Sequence, residues 1–242
     1  MWNKLKGLIR LNLDDLTLCG GVIGGIFLLI HIITAFAVKF SGEGTSLLLS
    51  GVILPIVAGV LLLILSSGHV LLTFVHAVKF GQTRKGALVL TLGQVSVEAL
   101  FAMGLAAALN WLERTFAPGF WRWLSGAKTA AIGQESAVVI PEGYSRLEGL
   151  QIEDFSLVWY ALPLIALGCV AVGLILGALI QRYGSKGGWF VWGLWMIFFL
   201  VFNHLPWRTH EVVDWLIPLL VGIGIVGLLW SVRSLLHATI KT

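Results

Sequence analysis

A carboxylate, an amide and two imidazoles lie deep inside otherwise apolar stretches of this 242-residue chain: Glu98, Gln94, His31 and His69. A charged group at membrane depth costs about 3 kcal/mol even on the lenient insertion scale, so Glu98 must face protein or a water-filled cavity. Gln94 sits one helical turn earlier and shares its face. Such a stripe can line a transport pathway, or it can make an interhelical hydrogen bond. Imidazole is a common axial haem ligand, which gives His31 and His69 a second chemistry to consider. The alternative is pairing with neighbouring polar groups. His76, His204 and His210 fall near the ends of apolar segments and are expected at the interfaces.

Other chemistries are missing. No G-x-x-x-x-G-K-[ST] run occurs, so ATP is not held here by a phosphate loop. No G-x-S-x-G, H-E-x-x-H or C-x-x-C pattern occurs either. Cys19 and Cys169, the only cysteines, both lie in apolar runs, which argues against a disulfide framework or a cysteine zinc site. The chain is expected to be no enzyme, with no catalytic, cofactor-binding or metal-ligating set of its own.

The elements that must position these groups follow from composition. With 58% hydrophobic and 12% charged residues, the chain carries about half the charge of a soluble domain and belongs in a bilayer. Six segments reach the length of about 20 residues that one crossing needs, near 17–39, 47–79, 87–112, 157–181, 188–206 and 213–237. The expected fold class is all-α: a single polytopic membrane domain with six transmembrane helices. The second segment overshoots the hydrocarbon, and Pro55 and Gly59 could kink it near its start. Residues 1–15 read as an interfacial helix, with Trp2, Leu5, Ile9 and Leu13 on one face. Asp14, Asp15 and Thr17 offer N-cap chemistry for the first span, which is expected to be retained as a helix rather than cleaved as a signal. Residues 113–156 form the one large loop, whose FAPGFWRWL stretch is expected to rest on the interface as part of a small cap.

Charge placement predicts orientation. With both termini in the cytoplasm, ten basic residues and only Asp14 and Asp15 fall inside, a balance of +8. Six basic and nine acidic residues fall outside, a balance of −3, and Glu98 within a span closes the net +4. The positive-inside rule is satisfied, the expected location is the plasma membrane, and the basic balance reports topology rather than nucleic-acid binding. Residues 113–156 are then external, while 81–86 form a cytoplasmic turn.

Two cytoplasmic turns carry a family likeness. KFGQTRKGALVLTLG, residues 79–93, has a G-x-T-R-[KR] turn after an aromatic-bearing helix end, and QRYGSKGGWFVWGLWM, residues 181–196, has an R-[FY]-G-x-[KR]-G-x-W turn. In these features the chain resembles the permease subunits of ABC-2 type ABC transporters, particularly small six-span permeases of Gram-positive bacteria. The resemblance implies a channel that exports a peptide, lipid or hydrophobic compound. It also implies a second permease subunit and a separate ATP-binding subunit that carries the ATP. Phe80, Gly81, Gln82, Thr83, Arg84 and Lys85 would be the loop that couples to that ATPase.

Two rival readings stand beside it. WFVWGLW, residues 189–195, is similar to the tryptophan-rich motif of haem-handling proteins, although here it runs into MIFFLV and not into an Asp-bearing loop. A membrane-embedded haem, redox or haem-handling protein is therefore one alternative. A passive immunity or accessory membrane protein is the other.

Overall fold

The structure, a computed structural model, describes residues 12–40, 45–126, 129–134, 149–204 and 210–237. The interfacial helix expected over 1–15 thus lies outside the described residues as far as Leu11. Helix α1, Leu13–Phe40, follows Asn12, whose carbonyl accepts the first intrahelical bond from the Leu16 N–H at 2.8 Å. Asp14 and Asp15 fall in the first turn, where negative charge suits the helix dipole. Thr17 does not cap; its hydroxyl donates back to the Leu13 carbonyl at 2.7 Å.

A second rod runs from Ser50 to Lys79 as α2 (Ser50–His69), a π-helical turn (Val70–Phe74) and α3 (Val75–Lys79). Its 30 residues span about 45 Å, well beyond a hydrocarbon core of about 30 Å. Helix α2 continues through Pro55. Proline cannot bond the carbonyl four residues back, and that carbonyl, of Gly51, accepts instead from the Leu157 N–H at 3.2 Å. The irregularity expected at Pro55 and Gly59 falls at residues 70–74 instead.

Helix α4, Arg84–Ser125, is the longest at 42 residues and corrects the expected loop boundary. Residues 113–125, FAPGFWRWL included, continue the helix through Pro118. Tertiary packing explains why: Ala117 and Trp121 are buried with Val38 of α1 and with Leu48 and Ile152. Helices α5 (Ala161–Tyr183), α6 (Ser185–His204) and α7 (His210–His237) complete the helices among the described residues. Four of these segments are long and apolar enough to cross a membrane: Leu13–Phe40, Ser50–Lys79, Arg84–Ser125 and Ala161–Tyr183. On α1, Leu28, Leu29, Ile32, Ile33 and Phe36 are all exposed, as a lipid-facing stripe should be.

An addition to the expected all-α architecture is a small parallel sheet in the order β1-β3-β2, from Thr45–Leu48, Gly149–Asp154 and Thr129–Gln134. Leu48 pairs with Asp154 in one ladder, and Ile132 with Ile152 in the other.

The chain forms two compact units. The first comprises Met1–Leu11, Val60–Val97 and Leu167–Thr242, the second Asn12–Gly59 and Glu98–Ala166. The first is centred on Val70, Phe74, Ala77, Ala87, Leu174, Ala178 and Leu235. Within it α5 lies directly on the backbone of the second rod. A Cβ on Gly173 would come within 2.6 Å of the Leu63 carbonyl oxygen, and one on Gly177 within 2.9 Å of that of Ser67. This is the small-xxx-small contact by which helices approach closely in lipid. The second unit contains the sheet and the core around Trp121.

Candidate functional site

The turn over residues 80–86 is built from two helix caps. Gly81 has a φ of +86°, which places it in the left-handed region that glycine adopts without steric cost. The Gln82 N–H donates to the Ala77 carbonyl at 3.0 Å and the Gly81 N–H to that of Val78 at 3.1 Å, the paired bonds of a Schellman motif. Thr83 then caps α4: its hydroxyl accepts the Gly86 N–H at 3.2 Å, and its carbonyl accepts the Ala87 N–H at 2.9 Å. Much of GQTRKG is therefore the chemistry of ending one helix and starting the next within two residues.

The two cations that follow have different fates. Positive charge is unfavourable in a first helical turn. Arg84 escapes this by donating through Nη1 to the Leu236 carbonyl at 3.0 Å, in the last turn of α7, where a cation is favoured. Arg182 reaches the same helix, with Nη1 3.3 Å from Ser234 Oγ and its guanidinium 5.7 Å from the Trp230 ring centroid. Lys85 is exposed and has no polar partner among the described residues. Phe80 is 85% exposed, Gln82 is exposed beside it, and the three present an aromatic, an amide and a cation at one turn. The second turn also closes on a left-handed glycine: Gly184, at φ +62°, donates its N–H to the Ile180 carbonyl at 2.7 Å.

Of the polar residues singled out within the apolar segments, Glu98, Gln94 and His69 are buried and His31 is half-buried. Glu98 is fully buried in the second unit. It faces α1: Cys19 lies within its electrostatic reach, and Phe101 packs 3.8 Å from the Cβ position of Gly20. Gln94 and His69 are buried in the first unit, and His69 Nδ1 lies 3.1 Å from Thr73 Oγ1 inside the π-helical turn.

His31 has a partner that sequence reasoning missed. Its Nδ1 lies 2.9 Å from the Phe27 carbonyl, and its Nε2 lies 3.6 Å from Oε1 of Glu113, a carboxylate only 2% exposed. The other oxygen of Glu113 accepts the Ser50 N–H at 3.1 Å, at the start of α2. The imidazole is also stacked on Trp121, with ring centroids 5.8 Å apart and planes 24° apart. Beside it, Arg114 donates to Asp154 Oδ2 and, at 2.6 Å, to Ser156 Oγ. Helices α1, α2, α4 and strand β3 thus meet around two polar pairs, His31 with Glu113 and Arg114 with Asp154. The available signal was the Glu113-Arg114 doublet directly after an apolar run. Read as loop acids and bases, these residues had no reason to seek His31.

No protein-family model, curated protein or solved structure matches this chain.

Proposed function

We propose that this chain is the membrane-spanning subunit of an ABC-2 type transporter, driven by a separate ATP-binding subunit. It crosses the cell membrane six times with both termini in the cytoplasm. It pairs with a second permease subunit and exports a peptide, lipid or hydrophobic compound. ATP hydrolysis belongs to the partner, and the chain itself is no enzyme.

The observation that carries this reading is the double-capped turn over residues 80–86. Its caps make it rigid, and rigidity is what a lever needs to pass a displacement into two helices. Its exposed Phe80, Gln82 and Lys85 offer a partner an aromatic anchor ringed by polar groups, the composition of an interaction hot spot. Lys85 stands where a helix dipole disfavours it, and an acidic partner offsets that cost.

The bond from Arg84 to α7 refines the role of the basic pair. Lys85 is a docking residue, while Arg84 ties the turn to α7 so that the two move together. The test is co-purification in mild detergent. K85E and F80A should each reduce the recovered ATP-binding subunit at least several-fold, whereas R84A should retain it and uncouple hydrolysis from transport. Wild-type protein that recovers no ATP-binding subunit, or F80A and K85E variants that recover it fully, would overturn the proposal.

A further inference from the structure

We propose that His31 and Glu113 form a proton-sharing site that joins α1 to α4 most strongly when it holds one proton. The proposal stands on the second unit alone and is independent of the transporter reading. The Phe27 carbonyl can only accept, so the His31 Nδ1 at 2.9 Å from it carries a hydrogen. Nε2 then bears a proton only when the ring is an imidazolium. That nitrogen faces Glu113 Oε1 at 3.6 Å, in a site that is 2% exposed on the carboxylate side.

Three proton counts are possible, and the contact is most attractive with one. With one proton, either an imidazolium faces a carboxylate or a carboxylic O–H faces a ring lone pair. With none, a buried carboxylate faces that lone pair directly. With two, an imidazolium faces a neutral acid and the charge attraction is lost. The proton is exchanged with bulk water, and no other bond changes.

The surroundings favour the singly protonated state. From α4, Trp121 offers its ring face to an imidazolium, and from α1 Phe27 lies 4.2 Å away, centroid to centroid. From α2, the Ser50 N–H holds the second carboxylate oxygen. Among the described residues, Asp154 of β3 is the other charge bearing on Glu113, and Arg114 of α4 is paired with it. Lys39, two turns further along α1, is exposed.

A double-mutant cycle tests this with the full chain in detergent micelles, using wild type, H31Q, E113Q and H31Q/E113Q. The coupling between the two sites in melting temperature should be largest at intermediate pH and smaller at both the acid and the alkaline ends. A coupling that is absent throughout, or that persists unchanged across the range, would overturn the proposal. Should a single variant fail to fold, ring-nitrogen NMR of the 15N-histidine-labelled wild type decides. The His31 ring nitrogens should exchange one proton while keeping the Nδ1–H form in the neutral ring. A neutral ring carrying its proton on Nε2 refutes the geometry.

Discussion

Replacing Gly173 by alanine adds one methyl group to a helix surface that has no room for it. The new Cβ would overlap Ser66 Oγ and lie 2.6 Å from the Leu63 carbonyl oxygen. The hydroxyl can rotate away, but the carbonyl belongs to the backbone of α2. Ordinary contact begins at 3.4 Å, so the two helices must separate locally by about 0.8 Å, the difference of the two distances. Overpacking of this kind costs about 1–3 kcal/mol. Alanine also gains about 1 kcal/mol over glycine in a helix interior, which offsets part of that cost. Gly168, on the same helix, separates the two terms because nothing lies within 4 Å of its Cβ position. G168A should therefore stabilise by up to about 1 kcal/mol, and G173A should fall below it by about 1–3 kcal/mol. Thermal unfolding of both variants in the same detergent reads the difference, from which helix propensity cancels. Adding S66A to G173A should restore only a part, since the Leu63 carbonyl remains. Equal melting temperatures for G168A and G173A would refute the close approach of α5 to α2.

Two further predictions concern the turn and the second core. Losing the N-cap in T83A should cost about 1 kcal/mol, and placing a side chain at the left-handed position in G81A about 1–2 kcal/mol. Hydrogen exchange should accelerate locally at the amides of residues 84–90 in both. Trp121 is 1% exposed at the centre of its cluster, so W121A should destabilise by about 3–5 kcal/mol, with W121F retaining most of that in a thermal melt.

The helical framework was legible because twenty-residue apolar runs have few alternatives in a long chain. The segments read near 17–39 and 157–181 became Leu13–Phe40 and Ala161–Tyr183, shifted by only a few residues. Helix α4 was underestimated by 13 residues at its end, because the apolar run stops at Glu113 and Arg114 and the aromatic FAPGFWRWL stretch reads locally as an interfacial segment. What holds that helix together is distant in sequence: Val38, Leu48 and Ile152 cover Trp121. The strands TSLL, TAAIGQ and GLQIED are short, only GLQIED alternates, and their burial at Leu48 and Ile152 is fixed by pairing. The turn at 80–86 was visible through its two glycines, but not the split between Arg84 and Lys85. That split depends on Leu236, 152 residues away. His31 was singled out for its type. Its partner was hidden because Glu113 looks like any acid at a helix end until the fold brings α1 beside it.

The π-helical turn at Val70–Phe74 has a bearing on how this rod could change by descent. A single π turn is equivalent to an α-helix holding one surplus residue. Each residue of an α-helix advances the chain by about 100°. Deleting one of Leu71, Leu72 or Thr73 would therefore close the rod into uninterrupted α-helix without unfolding it. Everything beyond would swing by about 100°, while Ser66 and Ser67 stayed on Gly173 and Gly177. Phe80 and Lys85 would then leave the direction in which they now point. The surplus residue acts as an angular set-screw: it lets the face packed against α5 and the exposed face of the turn be aimed separately along one rod.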